Sequence, residues 1–415
     1  MTHSSSRRSF FRNVGLGSLA AVAAERWGQT AGAQAADAKV LGAAGVKTAE
    51  RPKRVWRPVS ERKVRVGIVG YGVCQFGAAF GFQDHPNVTV AAVSDLFPDR
   101  CGALARACRC EKTYPSLEEM VKDDTLEAMF VATDAPSHGR HCIEVLKHGK
   151  HVACAVPAVF GSLDEAHQLF EAVKASGRQY MMFETSAFHR ECHAMRQIYR
   201  AGGFGRLVYS EGEYFHYASV PIPSFRDWRV GAPPQWYPTH SNAYYVCVSG
   251  GSFTEVSCMG LPSIIKELRP ENNRYKNPFG TEIALMRTSE GGMARMAVSW
   301  DTPGHEGEMG RVRGQRGSMT GMSYVGSYVG QEQKLPDLEC PPLPPGVDPG
   351  GHGGSHGHLM NEFIAAILQN RKPLVDVATA LNMTVAGVVS HQSALKDGQL
   401  MKIPQFRLDW PGGTS

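Results

Sequence analysis

Runs of β-branched and apolar residues alternate with segments of helical periodicity from Val64 onward. Val64-Arg65-Val66-Gly67-Ile68-Val69 and Val88-Thr89-Val90-Ala91-Ala92-Val93 are continuous rather than alternating. That is the pattern of strands buried on both faces of a parallel sheet. Between them, Gly70-Tyr71-Gly72 and the small and apolar segment Val73 to Phe82 predict a turn and a helix. Asp99 to Ala107 predicts a helix, and Ser116 to Lys122 opens with the capping pattern Ser116-x-x-Glu119. Ala128 to Ala132 predicts a strand, Pro136 to His148 a helix stopped by Gly149, and His151 to Cys154 a strand. Leu163 to Ala175 predicts a helix ending near Gly177, and Gln179 to Phe183 a strand. Such alternation predicts a doubly wound parallel sheet with ligands at the carboxyl ends of its strands. Thr133-Asp134, Ala155-Val156-Pro157 and Glu184-Thr185 fall at those ends.

The second half reads differently. Helix Glu191 to Ala201 leads into a strand from Arg206 to Tyr217, and Phe279 to Arg287, Gly292 to Trp300 and Gly310 to Met319 predict further strands. Alternation along the first of these puts Glu211, Glu213, Phe215 and Tyr217 on one face and Gly212, Tyr214 and His216 on the other. Leu335 to Gly354 is a long Pro- and Gly-rich loop. Helices Leu359 to Gln369 and Val377 to Leu395 follow, parted by Arg371-Lys372-Pro373. There is no internal repeat.

Composition is that of an ordinary soluble chain, 42% hydrophobic and 20% charged, long enough for two domains. The net charge of +5 falls to +2 once four arginines and one acid of the first 35 residues are set aside. Nothing there argues for nucleic acid or an anionic membrane surface. Those 35 residues carry Ser6-Arg7-Arg8-Ser9-Phe10-Phe11-Arg12, similar to a twin-arginine export signal. Val14 to Ala24 is too short to span a bilayer, and Ala33-Gln34-Ala35 offers a cleavage site. The expectation is export to the periplasm or beyond by the twin-arginine machinery, which carries folded proteins with their cofactors. The ten cysteines form no C-x-x-C pair. Most, including Cys74, sit in apolar company and read as buried thiols.

The turn after the first strand carries chemistry. Gly70 allows a tight turn and Gly72 lets backbone approach a pyrophosphate at the start of the next helix. The third glycine of G-x-G-x-x-G falls at Gln75, and the next glycine is Gly77. Asp95, ending the second strand, suits the adenosine ribose of NAD. Arg100 is placed to compensate a 2′-phosphate, so NADP stays open.

From here the chain resembles the Gfo/Idh/MocA family of sugar-acting oxidoreductases. The residues that carry the resemblance are Val66 to Gly72, Val93-Ser94-Asp95, Ala132-Thr133 with His138, Gly149-Lys150-His151-Val152, Ala201 to Val208 and Asp227-Trp228-Arg229. It spans about Val64 to Gln405. It implies an α/β chain: an N-terminal Rossmann sheet over residues 62–185, then an α/β domain over 186–405 with a large open, mostly antiparallel sheet for substrate and oligomer contacts. Residues 1–35 would be the signal, 36–61 a linker and 406–415 a tail. The resemblance also implies a homo-oligomer, and Tyr71, Val73, Thr133, His138 and Pro157 beside Gly70, Gly72, Asp95 and Arg100 at the dinucleotide.

The family's Glu-Lys-Pro motif reads Ala155-Val156-Pro157 here. Its lysine anchors substrate and assists proton transfer; valine does neither. Another residue supplies the proton, or the chemistry differs, or the protein binds without catalysing. The catalytic candidates are His240, Glu184 and Tyr244. His240 has the place of the family's substrate-facing histidine, though Trp236 and Pro238 replace that segment's aspartate and glycine. Glu184 ends the sixth strand, in Met181-Met182-Phe183-Glu184, a stretch similar to that of the family's NAD-dependent glycosidases. His189, Tyr214, His216, Trp228, Arg229 and His356 are candidates for lining the substrate cleft. His352, His356 and His358 have a spacing that can bind zinc, but no carboxylate or cysteine lies near in sequence, and no metal site is predicted. The leading expectation is an exported NAD(P)-dependent oxidoreductase of sugar or polyol hydroxyls that holds its cofactor tightly. The alternatives are a redox-neutral NAD-dependent glycosidase and a non-catalytic dinucleotide- or sugar-binding protein.

Overall fold

Strands β1 (Val64–Val69), β2 (Val88–Ser94), β3 (Thr113–Tyr114), β4 (Ala128–Val131), β5 (His151–Cys154) and β6 (Tyr180–Met182) form one sheet in the order β3-β2-β1-β4-β5-β6. Every pairing is parallel. Ile68, Met129, Phe130, Val152 and Met181 are fully buried, which is why these runs are apolar throughout. Strand order reverses between β1 and β4, and that switch point opens the crevice at the strands' carboxyl ends. The computed structural model describes residues 54–217, 220–303, 307–326 and 335–409. The export-signal segment lies outside the described residues, as does the linker before Arg54.

Helix α1 (Phe76–Ala79) corrects one expectation. It is a single turn, because left-handed Gln75 precedes it and left-handed Gly81 closes the next turn. Gly77 lies inside it, and glycine is a poor helix former. The pyrophosphate site expected there would rely on backbone N–H groups more than on a helix dipole. Helices α2 (Pro98–Ala107), α3 (Leu117–Met120), α4 (His138–Lys147) and α5 (Leu163–Ser176) follow the predicted order. Ser116 caps α3, its hydroxyl accepting from the Glu119 N–H at 3.3 Å. Helix α6 (Arg190–Arg200) leads out of this half.

The second sheet contains β7 (Leu207–Phe215), β8 (Phe253–Pro262), β9 (Phe279–Thr288), β10 (Met293–Ser299), β11 (Gly307–Gly314), β12 (Gly317–Thr320), β13 (Ser323–Gly326) and β14 (Met401–Lys402). Its order is β13-β12-β11-β7-β10-β9-β8-β14, antiparallel except for β7 beside β10. The single strand expected over Gly310 to Met319 is two, β11 and β12. The chain turns at Gln315-Arg316, whose N–H groups bond to the Arg206 and Phe204 carbonyls. Helix α7 (Thr239–Ser249) covers the inner face, α8 (His356–Leu368) packs on the Rossmann half through Phe363 against Phe183 and the Ala366 carbonyl against Gln179, and α9 (Val377–Ala394) lies against β8. The Met182 N–H bonds to the Val375 carbonyl at 3.0 Å, which ties α9's leading segment to the Rossmann sheet.

Alternation along β7 holds: Gly212 and Tyr214 are buried, while Glu211 and Glu213 face outward and pair with Arg295 and Arg311. Helix α7 seats on this inner face only because two positions lack side chains. A Cβ on Gly212 would lie 1.9 Å from the Ser241 carbonyl oxygen, and one on Gly310 2.2 Å from the Tyr244 ring. Gly212→Ala should therefore push α7 off the sheet and cost about 1–3 kcal/mol, the usual penalty for overpacking. A urea unfolding midpoint equal to wild type would refute that packing.

Candidate active site

The crevice at the Rossmann switch point is a cavity of about 540 Å³. Gly70, Tyr71, Gly72, Val73, Asp95, Arg100 and Thr133 line it, with Trp228 and Arg229 reaching in from the second half. A Cβ on Gly70 would sit 2.4 Å from the Ala132 carbonyl oxygen, so only glycine fits between β1 and β4. Gly72 has a left-handed backbone (φ 57°) and nothing within 4 Å of a would-be Cβ, leaving its approach open. Gly77 does the packing work of the missing third glycine. Its Cβ would be 2.4 Å from the Gly70 carbonyl oxygen and 3.3 Å from Ile68. Asp95 accepts from the Tyr71 and Phe97 N–H groups, each at 2.9 Å. These bonds orient the carboxylate and leave it capacity for ribose hydroxyls. The residues present fit NAD. Arg100 stacks over the Phe97 ring at 4.6 Å.

Two of the expected cofactor residues stand behind the cavity wall. His138 is buried, and its ring nitrogens meet the Pro157 carbonyl at 2.8 Å and the Thr133 carbonyl at 3.1 Å. Both acceptors call for N–H donors. Burial opposes the charged ring, but Cys154 and the two carbonyls raise His138 to about 9. It is a brace between the β4 and β5 loops rather than a wall of the cavity.

Glu184 and His240 are brought together. Glu184 follows β6, and His240 is in the first turn of α7. His240 Nδ1 lies 2.8 Å from Glu184 Oε1. Glu184 Oε1 also accepts from the Ser186 N–H at 2.9 Å, which fixes its rotamer. A third member comes from β11: Glu308 Oε2 is 3.6 Å from His240 Nδ1 and 3.2 Å from His189 Nε2. The Ser186 hydroxyl donates to Glu308 at 2.5 Å, and Thr185 adds a longer bond at 3.2 Å. Burial alone would lower the His240 pKa, but Glu184 and Glu308 outweigh it and raise it to about 9. Burial would likewise raise Glu308, but His240 and His189 hold it below the usual carboxylate range. Among the described contacts, His240 Nε2 has no protein partner.

Aromatic rings connect this cluster to the cavity. Trp228 lines the cavity and stacks on Tyr237 at 6.2 Å, and Tyr237 lies 5.6 Å from the His240 ring. Tyr214 packs on His240 at 4.5 Å. A smaller pocket beside them is lined by His216, Trp228, Arg229, Tyr237 and Trp300. The Arg229 guanidinium lies 4.3 Å over Trp228, giving the fork and platform expected of this pair.

Other expected positions move. Tyr244 is fully buried, and its one hydroxyl proton is shared between the Glu308 carbonyl at 2.9 Å and Glu191 at 3.0 Å. Burial and Glu191 push its phenol far up, so it supports Glu308 and is unsuited to act as a base. His356 faces the Rossmann half, stacked 4.2 Å on Phe80 and bonded to the Ala79 carbonyl. The glycine-rich loop instead brings His352 toward the cluster, within electrostatic reach of Glu308 and His240. His352 and His356 touch at 2.9 Å, but His358 stacks on Phe188, so the three histidines do not converge. Cys74 is exposed at the cavity mouth, contrary to its apolar setting in sequence. Sequence reasoning missed Glu308, Ser186 and Tyr237.

Residues 64–184 match the family model described as an oxidoreductase family with an NAD-binding Rossmann fold, Gfo/Idh/MocA. This segment is thus an NAD-binding Rossmann fold of the Gfo/Idh/MocA type. A glycosyl hydrolase family 109 protein of Streptomyces niveus is 25% identical over 411 residues, 86% of this chain and 82% of that one. Another, from Saccharopolyspora erythraea, is 22% identical over 88% of this chain and 90% of its own length. Among solved structures, a levoglucosan dehydrogenase in complex with NADH and levoglucosan superposes with a TM-score of 0.64 at 16% identity, covering 83% of this chain and all of that one. The myo-inositol 2-dehydrogenase of Lactobacillus plantarum gives 0.62 at 16% identity, with 83% and 100% covered. These structural likenesses establish the shared fold.

Asp95→Ala should weaken NAD binding at least tenfold, the scale of losing one charge-assisted hydrogen bond or more. Asp95→Asn should lose less, and wild type should prefer NAD to NADP. Titration by fluorescence checks all three, and an unchanged affinity in Asp95→Ala would contradict the assignment.

Proposed function

We propose that this protein is an NAD-dependent enzyme that cleaves glycosides without net redox change. The observation that carries the reading is the buried Glu184–His240–Glu308 cluster with His189, standing beside a dinucleotide cavity in a chain that has Val156 where the lysine is expected. The two long matches to glycosyl hydrolase family 109 proteins support it over a simple dehydrogenase.

Bound NAD would supply a hydride acceptor that later returns the hydride. The chain's own residues handle protons and position. Glu184 holds Nδ1 of His240, leaving Nε2 to exchange the proton of the sugar hydroxyl being oxidised. A ketone at that carbon acidifies the neighbouring C–H. His189, backed by Glu308, is the second imidazole of the cleft and the group to take that proton as the aglycone leaves. Trp228, Tyr237 and Trp300 give a sugar ring an apolar wall, and Arg229 a hydroxyl-binding fork. Water would then add to the unsaturated ketone, with His189 giving the proton back to the neighbouring carbon.

This cycle suits an exported protein, because each turnover regenerates its NAD where no pool exchanges it. Export by the twin-arginine route belongs to the same proposal and rests on Arg7 and Arg8. So does a homo-oligomer, which the exposed Met259, Leu285, Met293 and Met309 of the second sheet favour.

The test is a panel of glycosides and free sugars, followed by aglycone release and by absorbance of reduced cofactor. Release of aglycone with no stoichiometric build-up of NADH is expected. His240→Asn should lower the rate by about 10²–10⁴ while NAD affinity changes little, as for loss of a general acid–base. NADH formed one-for-one with substrate and no aglycone released would replace this reading with the simple dehydrogenase. Normal turnover in His240→Asn would remove His240 from the chemistry.

A further inference from the structure

We propose that the substrate carries a carboxylate which Arg229 receives, so that the glycosides this protein takes are glycosiduronates. The inference rests on the glycoside reading above and names its substrate class. Arg229 is half-buried, and its guanidinium lies 4.3 Å over the Trp228 ring. Among the described residues that guanidinium has no hydrogen bond and no carboxylate within ion-pair distance; the bond to Ser224 is made by the backbone N–H. Other arginines of the second half are paired: Arg287 with Glu255, Arg295 with Glu213 and Arg311 with Glu211. A guanidinium drawn partly out of water without a counter-charge is costly unless a ligand supplies one.

The pocket beside it calls for an anion. Arg229 and His216 stand there among Trp228, Tyr237, Trp300 and Leu268, and no carboxylate lines the space. Arg229 borders the dinucleotide cavity as well, but on this side every lining residue lies between His216 and Trp300, in the second half of the chain. The pyrophosphate belongs instead at Gly70 and Gly72, so the anion on this side comes from the substrate. Apolar walls exclude water and strengthen an ion pair formed between them.

The fork is also held in place. Tyr275 donates its hydroxyl to the Trp228 carbonyl at 2.8 Å, and the Trp300 indole N–H donates to the Ala232 carbonyl at 2.8 Å. Both bonds fix the segment that carries Arg229. A planar guanidinium matches the two oxygens of a carboxylate in a bidentate pair, whereas a hydroxymethyl group offers it one oxygen and no charge. Tyr237, which bounds the same pocket, lies 5.6 Å from the His240 ring, so an anchored sugar ring stays beside the proton-transfer group. The carboxylate takes no part in bond making; its role is recognition.

The experiment uses the full chain with NAD bound and isothermal titration calorimetry. The probes are p-nitrophenyl glucuronides and galacturonides of both anomers, each paired with the neutral glycoside of the same configuration. At least one uronide should bind about tenfold tighter than its neutral partner, the scale of a charge-assisted hydrogen bond. That advantage should shrink as salt is raised, because Arg229 is only half-buried. Arg229→Gln, which removes the charge, should abolish the advantage while NAD affinity holds, and Arg229→Lys, which keeps the charge and loses the fork, should retain part of it. Equal affinity for every uronide and its neutral partner overturns the proposal. An Arg229→Gln protein that loses NAD affinity and keeps the uronide advantage assigns the arginine to the cofactor's phosphates and overturns it too. A p-nitrophenyl glycoside 6-sulfate that binds tighter than the uronides overturns the carboxylate. Where Arg229→Gln does not fold, the wild-type comparison of uronide with neutral partner decides. The two readings fail separately. A tightly bound uronide that yields NADH one-for-one and no aglycone leaves the role of Arg229 and removes glycoside cleavage. Aglycone released from neutral glycosides, with uronides bound no better, does the reverse.

Discussion

The buried Glu184–His240 pair is the interaction on which the two halves of this molecule depend. Glu184 belongs to the turn that ends the Rossmann sheet, and His240 to the helix lying on the second sheet. Neither group is at home in the interior alone. Taking charges out of water costs several kcal/mol per ion, and leaving one partner buried without the other typically costs about 3–5 kcal/mol. The pair therefore forms only where α7 is seated against β7 and β11, and Gly212 and Gly310 make that seating possible. Glu308 arrives on the same sheet and is tied back to the Rossmann side by Ser186 and Thr185. The contacts that join the halves are thus also those that build the site.

The same arrangement stands in a chain that has Val156 after its fifth strand. Positive charge is supplied at the end of the sixth strand and the start of α7, by an imidazole held between two carboxylates. The aromatic sequence Trp228, Tyr237, His240 connects the dinucleotide cavity to this cluster. Tyr244 lends its hydroxyl to the backbone of Glu308, so it shapes the site without entering it.

Most of the Rossmann half was legible because parallel strands buried on both faces leave an unmistakable apolar run between glycine and capping signals. Its exceptions are the two-residue β3, which no apolar run announced, and α1, where one left-handed glutamine and two glycines shorten a helix that composition favoured. The second half was less legible for a physical reason. Helix α7 is buried on nearly every side, so its Thr239, Ser241, Asn242 and Tyr244 show no solvent-facing stripe from which direction is read. That hid the fact that His240 faces Glu184 and Glu308 while Tyr244 faces β11. Glu308 escaped because β11 begins three residues before the apolar pattern suggested, in a glycine-rich stretch with no local cue. Its partners are 122 and 123 residues away in the chain, a distance that only tertiary structure bridges.

The central claim is that a transient ketone acidifies a sugar C–H beside this cluster and that the hydride then returns. The direct measurement is cleavage of an accepted glycoside in D₂O, with the released sugar read by proton NMR. The account predicts one deuterium at the carbon next to the transient ketone and none at the carbon that gave up its hydride, with bound NAD oxidised on average. Aglycone released with no deuterium in the sugar would contradict it.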